Sequence, residues 1–330
     1  MKPLLELDQI SKHFLLRSSL LGRLLAGQPN RVVHAVNGVS MEVYEGETLG
    51  LVGESGSGKS TLGRVAIRLQ EPTSGTVRFR GQDLGRLSAA QMRQLRREMQ
   101  IIFQNPYSSL NPRKSVRDII GSALMARGIR SFHEREREIR YLLQRAGLPE
   151  RFIEMYPHQL SGGQRQRISI LRALAVRPRL VVADEPVSAL DVSVQAQILQ
   201  FLEELKREFG LTYLFISHDL RVVYHISDRV AVMYLGKLVE VGRCEDIYHN
   251  PQHPYTKALL ASIPRLENRT LTGGRPVLEG SPPSPLNPPK GCPFHTRCPV
   301  KLGRVCEEEP PPWVSIGPGH RAACHLLSQP

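Results

Sequence analysis

Eight consecutive residues carry the sharpest chemical signal in this chain. Gly53-Glu54-Ser55-Gly56-Ser57-Gly58-Lys59-Ser60 satisfies the pattern G-x-x-x-x-G-K-[ST] at every fixed position. Glycines let a backbone curl until successive N–H groups face phosphate oxygens, and a helix opening near Lys59 adds the positive end of its dipole. Lys59 can bridge outer phosphates, and the Ser60 hydroxyl can ligate Mg²⁺. Charge-assisted hydrogen bonds of this kind contribute about 1.5–3 kcal/mol each, so several together hold a nucleotide. A second element, Leu180-Val181-Val182-Ala183-Asp184-Glu185, delivers two acids at the end of an apolar run. There Asp184 would hold Mg²⁺ through water, and Glu185 would polarise the water that attacks the terminal phosphate. In isolation a solvated strand end explains two acids better; beside a phosphate cradle it does not. The third element is Leu160-Ser161-Gly162-Gly163-Gln164 ahead of a helical pattern of Ile168, Leu171, Leu174 and Ala175. Ser161 is a natural N-cap, and two glycines admit a close neighbour. Ordinary capping accounts for Ser161 but gives no reason for two glycines followed by Gln164.

These residues need elements to position them. Thr48 to Val52 reads as a buried strand ending at Gly53, and Thr61 to Leu69 carries Leu62, Val65, Ala66 and Leu69 at helical spacing. The runs Leu180 to Ala183 and Thr212 to Ile216 read as further strands, and this alternation predicts a parallel sheet covered by helices. Arg117 to Leu148 is rich in charged helix formers and reads as a helical insert within roughly Asn105 to Ser161. The basic stretches Arg86 to Arg97 and Arg135 to Arg145 read as solvated helical faces. Leu15 to Leu25 spreads its leucines around the whole helical circumference and reads as a packed insert rather than a membrane-surface helix. After about Asn250 the composition shifts: Ser281 to Pro289 holds five prolines in nine residues, which predicts an irregular appendage.

The whole chain has 330 residues, 41% hydrophobic and 23% charged, which excludes wholesale disorder. Its net charge of +13 points to an anionic neighbour: nucleic acid, a nucleotide or the inner face of a membrane. Glu6 and Asp8 interrupt any apolar signal region, and no run of about 18 uncharged apolar residues occurs, so a cytoplasmic protein is expected.

The motifs together resemble the ATP-binding subunit of an ABC transporter. Gly53 to Ser60 is similar to the Walker A loop, Leu160 to Gln164 to the family signature and Leu180 to Glu185 to Walker B. Gln104 matches the Q-loop, Ser188-Ala189-Leu190-Asp191 the D-loop and His218 the switch histidine. The resemblance implies an α/β P-loop NTPase fold: a RecA-like ABC core, residues 1–250, with a helical subdomain at about 105–165. It implies ATP and Mg²⁺ as ligands. Glu185, His218 and Gln104 would then be catalytic, with Thr61 and Asp191 also at the nucleotide and Ser60, Gln104 and Asp184 at Mg²⁺. Phe14 sits where the family carries an adenine-stacking aromatic, keeping the stacking face without a hydroxyl, and His13 is a rival for that role. Ser161 to Gln164 would close on the ATP of a second ABC subunit, so a heterodimer is implied. Two transmembrane permease subunits and a periplasmic or extracellular solute-binding protein would complete the assembly. That places the chain peripherally at the cytoplasmic face of the inner (plasma) membrane, with Asn105 to Pro112 as a surface for the membrane partner.

The tail resembles one branch of the family. Asn250-Pro251-Gln252-His253-Pro254-Tyr255-Thr256, Leu259-Leu260, Pro264 and Ser284 to Pro293 are similar to the extension on dipeptide and oligopeptide importer ATPases. The likeness extends over nearly the whole chain to the second, F-type, ATP-binding subunit of a dipeptide permease. Nickel, glutathione and cationic-peptide importers of the same branch are alternatives. Four of five cysteines, Cys292, Cys298, Cys306 and Cys324, crowd into this extension (251–330). Their gaps match neither paired zinc spacing nor ferredoxin runs, yet four thiolates so close together read as ligands. The branch resemblance implies a [4Fe–4S] cluster, with zinc and free buried thiols as alternatives. Cys244 reads as a small core residue, and His295, His320 and His325 as substitute ligands or solvated loop histidines. A reading from a different class, a soluble ABC ATPase acting on nucleic acid or ribosomes, follows from the positive charge alone. Only about 56 positions separate Gln104 from Leu160, without heptads and so without the long coiled coil of soluble repair relatives; no nucleic-acid partner is expected.

Overall fold

A computed structural model describes residues 2–16, 31–263 and 280–328. The expected insert Leu15 to Leu25 lies beyond them after Leu16, as does Pro264. Among the described residues the strands are β1 (Pro3–Leu16), β2 (Arg31–Tyr44), β3 (Thr48–Val52), β4 (Ser74–Phe79), β5 (Gln82–Asp83), β6 (Met99–Ile102), β7 (Leu180–Asp184), β8 (Thr212–Ile216), β9 (Arg229–Tyr234), β10 (Lys237–Arg243), β11 (Trp313–Gly317) and β12 (His320–Ala323). Six helices carry the discussion below: α1 (Lys59–Ala66), α2 (Val116–Arg127), α3 (Phe132–Arg145), α4 (Gly162–Leu174), α5 (Val192–Phe209) and α6 (Pro254–Ala261). The chain divides into two compact units, one from Met1–Leu4, Val43–Thr48 and Leu84–Ser217, the other from Leu5–Glu42, Leu49–Asp83 and His218–Pro330.

In the first unit β6, β7 and β8 run parallel, with Ile102 opposite Ala183 and Asp184 opposite Ile216. Every residue of β7 and β8 is buried, as expected of strands covered on both faces. The helical insert is present as α2 and α3. Ser115 caps α2 in a box with Asp118, and Gly128, at φ 108°, ends it. Ile119, Ile120 and Leu124 of α2 and Ile139, Leu142 and Leu143 of α3 are buried. Arg137, Arg140 and Arg145 are exposed as expected, and charged side chains of α2 and α3 also pair: Arg117 meets Glu136 at 2.6 Å, and Arg127 meets Glu138 at 2.7 Å.

In the second unit β3 pairs parallel with β9, and β10, β12 and β11 follow antiparallel. An antiparallel ladder of β1, β4 and β5 completes its sheets. Helix α1 begins at Lys59 and ends at Ala66, earlier at both ends than the sequence pattern suggests. The C-terminal segment departs from the irregular appendage expected of it. Its hairpin β11–β12 adds to β10, with Glu240 opposite Ala322 and Val241 opposite Arg321. The prolines of this segment lie outside β11 and β12, where no ladder N–H is needed. The anchor is Glu240, fully buried and satisfied by three donors: His320 Nε2 at 2.8 Å and the backbone N–H groups of Gln252 at 2.7 Å and His253 at 2.9 Å. A buried carboxylate is tolerated when its lone pairs are taken up in this way. No helix among the described residues is long and apolar enough to cross a membrane.

Candidate nucleotide site and the family of the chain

The phosphate loop is shaped by two close backbone approaches. A Cβ at Gly53 would lie 2.1 Å from the Met233 carbonyl oxygen, and one at Gly58 would lie 2.1 Å from that of Ala35. Both residues also have positive φ, 151° and 101°, so neither position accepts a side chain. The loop is fixed further where Gly236 N–H donates to the Ser57 carbonyl at 2.9 Å. Lys59 is buried, and its Nζ donates to the carbonyls of Gly53 and Glu54, each at 2.8 Å. The ammonium is thus held over the loop, while Ser55 and Gly56 are exposed and Ser60 and Thr61 half-buried. No side chain caps the first turn of α1, and Leu62 N–H donates to the Gly58 carbonyl at 2.9 Å.

The carboxylate element sits where β7 ends. Asp184 is 1% exposed, and Glu185, at φ 48°, takes a left-handed conformation that costs a non-glycine residue about 1–2 kcal/mol. Its N–H still donates to Ile216 across the strand end at 3.0 Å. Gln104 Nε2 donates to Glu185 Oε2 at 2.8 Å, so two residues separated by 81 positions meet at one carboxylate. Strain persists where surrounding bonds over-determine it, which is common where side chains must point at chemistry.

Ser161 caps α4 as expected, but the structure also supplies the reason for Gln164. Gln164 N–H donates to Ser161 Oγ at 3.3 Å, and Gln164 Oε1 accepts from Ser161 N–H at 2.9 Å, a reciprocal capping box. Gly163 is explained within the chain as well, since a Cβ there would stand 2.7 Å from Val194 Cγ1. The expectation that capping explains only Ser161 is therefore corrected; Gly162, with Leu190 Cδ2 at an ordinary 3.7 Å, is the residue these contacts do not demand. Asp191 caps α5 by accepting from Val194 N–H at 3.1 Å. Asn105 caps a short helix, Pro106–Ser109, inside the segment Asn105 to Pro112. Tyr107 on that helix is 63% exposed, with the Arg165 guanidinium 3.7 Å from its ring centre. Arg165 also donates to the Leu160 carbonyl, so one buried cation ties that helix to the start of α4. No fixed motif position flags Arg165.

His218 is exposed and follows β8 after Ser217. Of the two stacking candidates, His13 is engaged by Asn37 at 3.0 Å and by the His34 ring at 4.4 Å. Phe14 is half-exposed, with Lys12 Nζ 5.2 Å from its ring centre.

All five cysteines are free. Cys292, Cys306 and Cys324 are buried and Cys298 half-buried, and Cys292 N–H donates to the Cys306 carbonyl at 2.9 Å. Burial pushes the Cys292 thiol up to about 11 and raises those of Cys298 and Cys324. No three Cys, His, Asp or Glu side chains among the described residues are grouped to hold a metal. As placed, the four thiols do not fit a cluster or zinc site. The nearby histidines have partners: buried His320 bonds Glu240, buried His325 the Glu309 carbonyl at 3.0 Å, and half-buried His295 the Cys292 carbonyl at 2.9 Å. Cys244 is a buried core residue, as expected.

A G-x-x-x-x-G-K-S loop between a parallel strand and a helix, with a second parallel strand that ends in buried Asp184 and half-buried Glu185, defines an α/β P-loop NTPase. The dimeric structure of the bacterial ABC transporter cassette MJ0796 has a similar fold: TM-score 0.63, 29% identity, covering 73% of this chain and 98% of that one. A cbiO1 structure from Clostridium perfringens gives 0.62, 26%, 76% and 92%. Residues 36–188 match the family model described as ABC transporter, and residues 239–306 match the one described as oligopeptide/dipeptide transporter, C-terminal region. The chain is 52% identical over 327 residues to the oligopeptide transport ATP-binding protein AppF of Bacillus subtilis, covering 98% of each. It is 46% identical over 318 residues to the oligopeptide transport ATP-binding protein OppF of Salmonella typhimurium, covering 94% of this chain and 92% of that one. The chain belongs to the family of ABC transporter ATP-binding proteins.

Proposed function

We propose that this chain is the ATP-hydrolysing subunit of an importer for oligopeptides or dipeptides. The observation that carries the peptide assignment is the match of residues 239–306 to the oligopeptide/dipeptide transporter C-terminal region. Similarity to AppF and OppF, whose names state oligopeptide transport, supports it.

In this reading Gly53 to Ser60 cradles the phosphates, with Lys59 neutralising their charge. Ser60, Asp184 and Gln104 offer the hard oxygen donors that Mg²⁺ takes, and the ion when bound would offset charge on the phosphate oxygens. Glu185 orients a water for in-line attack on the terminal phosphorus. The new P–O bond forms as the bond to the ADP oxygen breaks, and the proton of the water passes toward Glu185. Gln104 holds the carboxylate in place, and His218 contributes from its position beyond β8. Phe14 stacks on the base. Residues 1–250 form the nucleotide-binding domain, with the helical part at about 105–165, and residues 251–330 form the extension.

Val192, an apolar side chain 79% exposed beside Asp191, supports a second cassette docking against this edge, where Ser161 to Gln164 and Asp191 would meet its nucleotide. The exposed Tyr107 supports a permease contact through the segment Asn105 to Pro112. Two permease subunits, a solute-binding protein and a peripheral place on the cytoplasmic face complete the proposal. Co-purification from membranes tests it. Recovery with two transmembrane subunits and a second cassette is expected, and recovery on ribosomes without membrane subunits would refute it. An iron–sulfur or zinc occupant of Cys292, Cys298, Cys306 and Cys324 rests on the family likeness and not on their placement. Iron and zinc analysis of anaerobically purified protein decides it, and absence of both leaves structural thiols.

A further inference from the structure

Glu54 occupies a position that the phosphate-loop pattern leaves open, yet every polar group it has is held. Its carboxylate takes a two-pronged bond from Arg297, Nη1 to Oε2 at 2.8 Å and Nη2 to Oε1 at 3.1 Å. Its N–H donates to the hydroxyl of Tyr255 at 2.9 Å, and its carbonyl accepts from Lys59 Nζ at 2.8 Å. The Arg297 side chain is 6% exposed and that of Glu54 22%, so this pair is shielded where surface pairs are not. Arg297 Nη1 also donates to the Tyr234 hydroxyl at 3.3 Å.

Arg297 belongs to the C-terminal segment, 243 positions after Glu54. It is anchored on a buried residue: its N–H donates to the Phe294 carbonyl at 3.0 Å, and Phe294 is 1% exposed. The Phe294 ring packs 5.3 Å from Tyr234 and 5.4 Å from Tyr255, which are themselves 4.6 Å apart. The aromatic cluster thus joins β9, α6 and the tail under one face of the loop. A guanidinium fork matches a carboxylate in plane and register, which a flexible ammonium does not.

We propose that Arg297 is a positioning residue for the phosphate loop: by clamping Glu54 it lets the C-terminal segment set how tightly this cassette binds nucleotide. The clamp holds the loop in its curled form before nucleotide arrives, so binding does not bear the full cost of ordering it. The inference rests on residues 53–60 being the phosphate cradle, and Lys59→Ala checks that separately.

The test is a double-mutant cycle in the full chain, read by titration with ADP, alongside KM and kcat for ATP. Arg297→Met keeps the apolar stem and is expected to weaken ADP binding about tenfold, or about 1.4 kcal/mol. KM for ATP should rise by a similar factor with a smaller change in kcat. Arg297→Lys should recover only part of the loss. Glu54→Ala should weaken ADP binding to a similar extent, and the double variant should be no weaker than the weaker single one. A folded Arg297→Met protein with unchanged ADP affinity and KM overturns the clamp, as do losses that simply add. If Arg297→Met does not fold, wild-type ADP affinity in Glu54→Ala overturns it instead. ADP binding retained in Lys59→Ala would sink the cradle reading, whereas binding lost there but normal in Arg297→Met would sink the clamp alone.

Discussion

Single side chains here are held by geometry as much as by chemical type. Glu185 sits in a strained backbone conformation with its carboxylate held by Gln104. Glu185→Gln keeps the shape and removes the base, so nucleotide binding should persist while hydrolysis falls by a factor of at least about 100. Parallel measurement of ADP affinity and phosphate release checks this, and normal turnover would remove Glu185 from its role. His253 gives a different signature. It is fully buried, its Nδ1 accepts from Tyr255 N–H at 3.0 Å, and burial holds its pKa down to about 3. The unfolded chain takes up this proton near pH 6.5 and the folded one only near the lower value. The contribution to stability is therefore complete above about pH 6.5 and lost as pH falls toward 3, by at most about 1.4 kcal/mol per pH unit. Melting temperature against pH should fall less steeply on the acid side in His253→Asn; identical slopes would show that His253 is not the titrating group.

At the scale of elements, the junction of α4 and α5 depends on a missing side chain. Gly163 lets Val194 approach, and a β-branched valine has little rotamer freedom with which to give way. Gly163→Ala gains helix propensity but forces that contact, and should cost about 1 kcal/mol net, lowering the melting temperature by a few degrees. Placed in a Val194→Ala background, the same change should be neutral or stabilising. Calorimetry of the four proteins tests this pairing. The short helix Pro106–Ser109 and the start of α4 are joined through Arg165, so a push on exposed Tyr107 has a direct mechanical route to Ser161.

Considered whole, the sequence carries one G-x-x-x-x-G-K-[ST] pattern, one Leu160 to Gln164 motif and one Leu180 to Glu185 motif. The proposed reaction needs the signature of a second cassette. Turnover per chain should therefore be low in the isolated protein and rise with the concentration of the second cassette, and the Glu185→Gln variant with ATP and that cassette should sediment as a dimer. A rate per chain independent of concentration would contradict this. The C-terminal segment is integral to its unit: β12 extends the ladder of β10, buried Glu240 bonds His320, and Arg297 reaches the phosphate loop.

Local pattern was enough to read strands β3, β7 and β8, a helical insert and the order of the family motifs. Each follows from near neighbours: glycine freedom, apolar runs and helix caps act over a few residues. The capping box at Ser161 and Gln164 is equally local, since a serine followed three residues later by glutamine is its pattern. Only the tertiary structure decided that Gly163 faces Val194, that Gln104 bonds Glu185, and that Arg297 grips Glu54. Those outcomes depend on contacts between residues tens to hundreds of positions apart. A contact at that distance is set by how the sheets and helices pack, and no spacing along the chain encodes it.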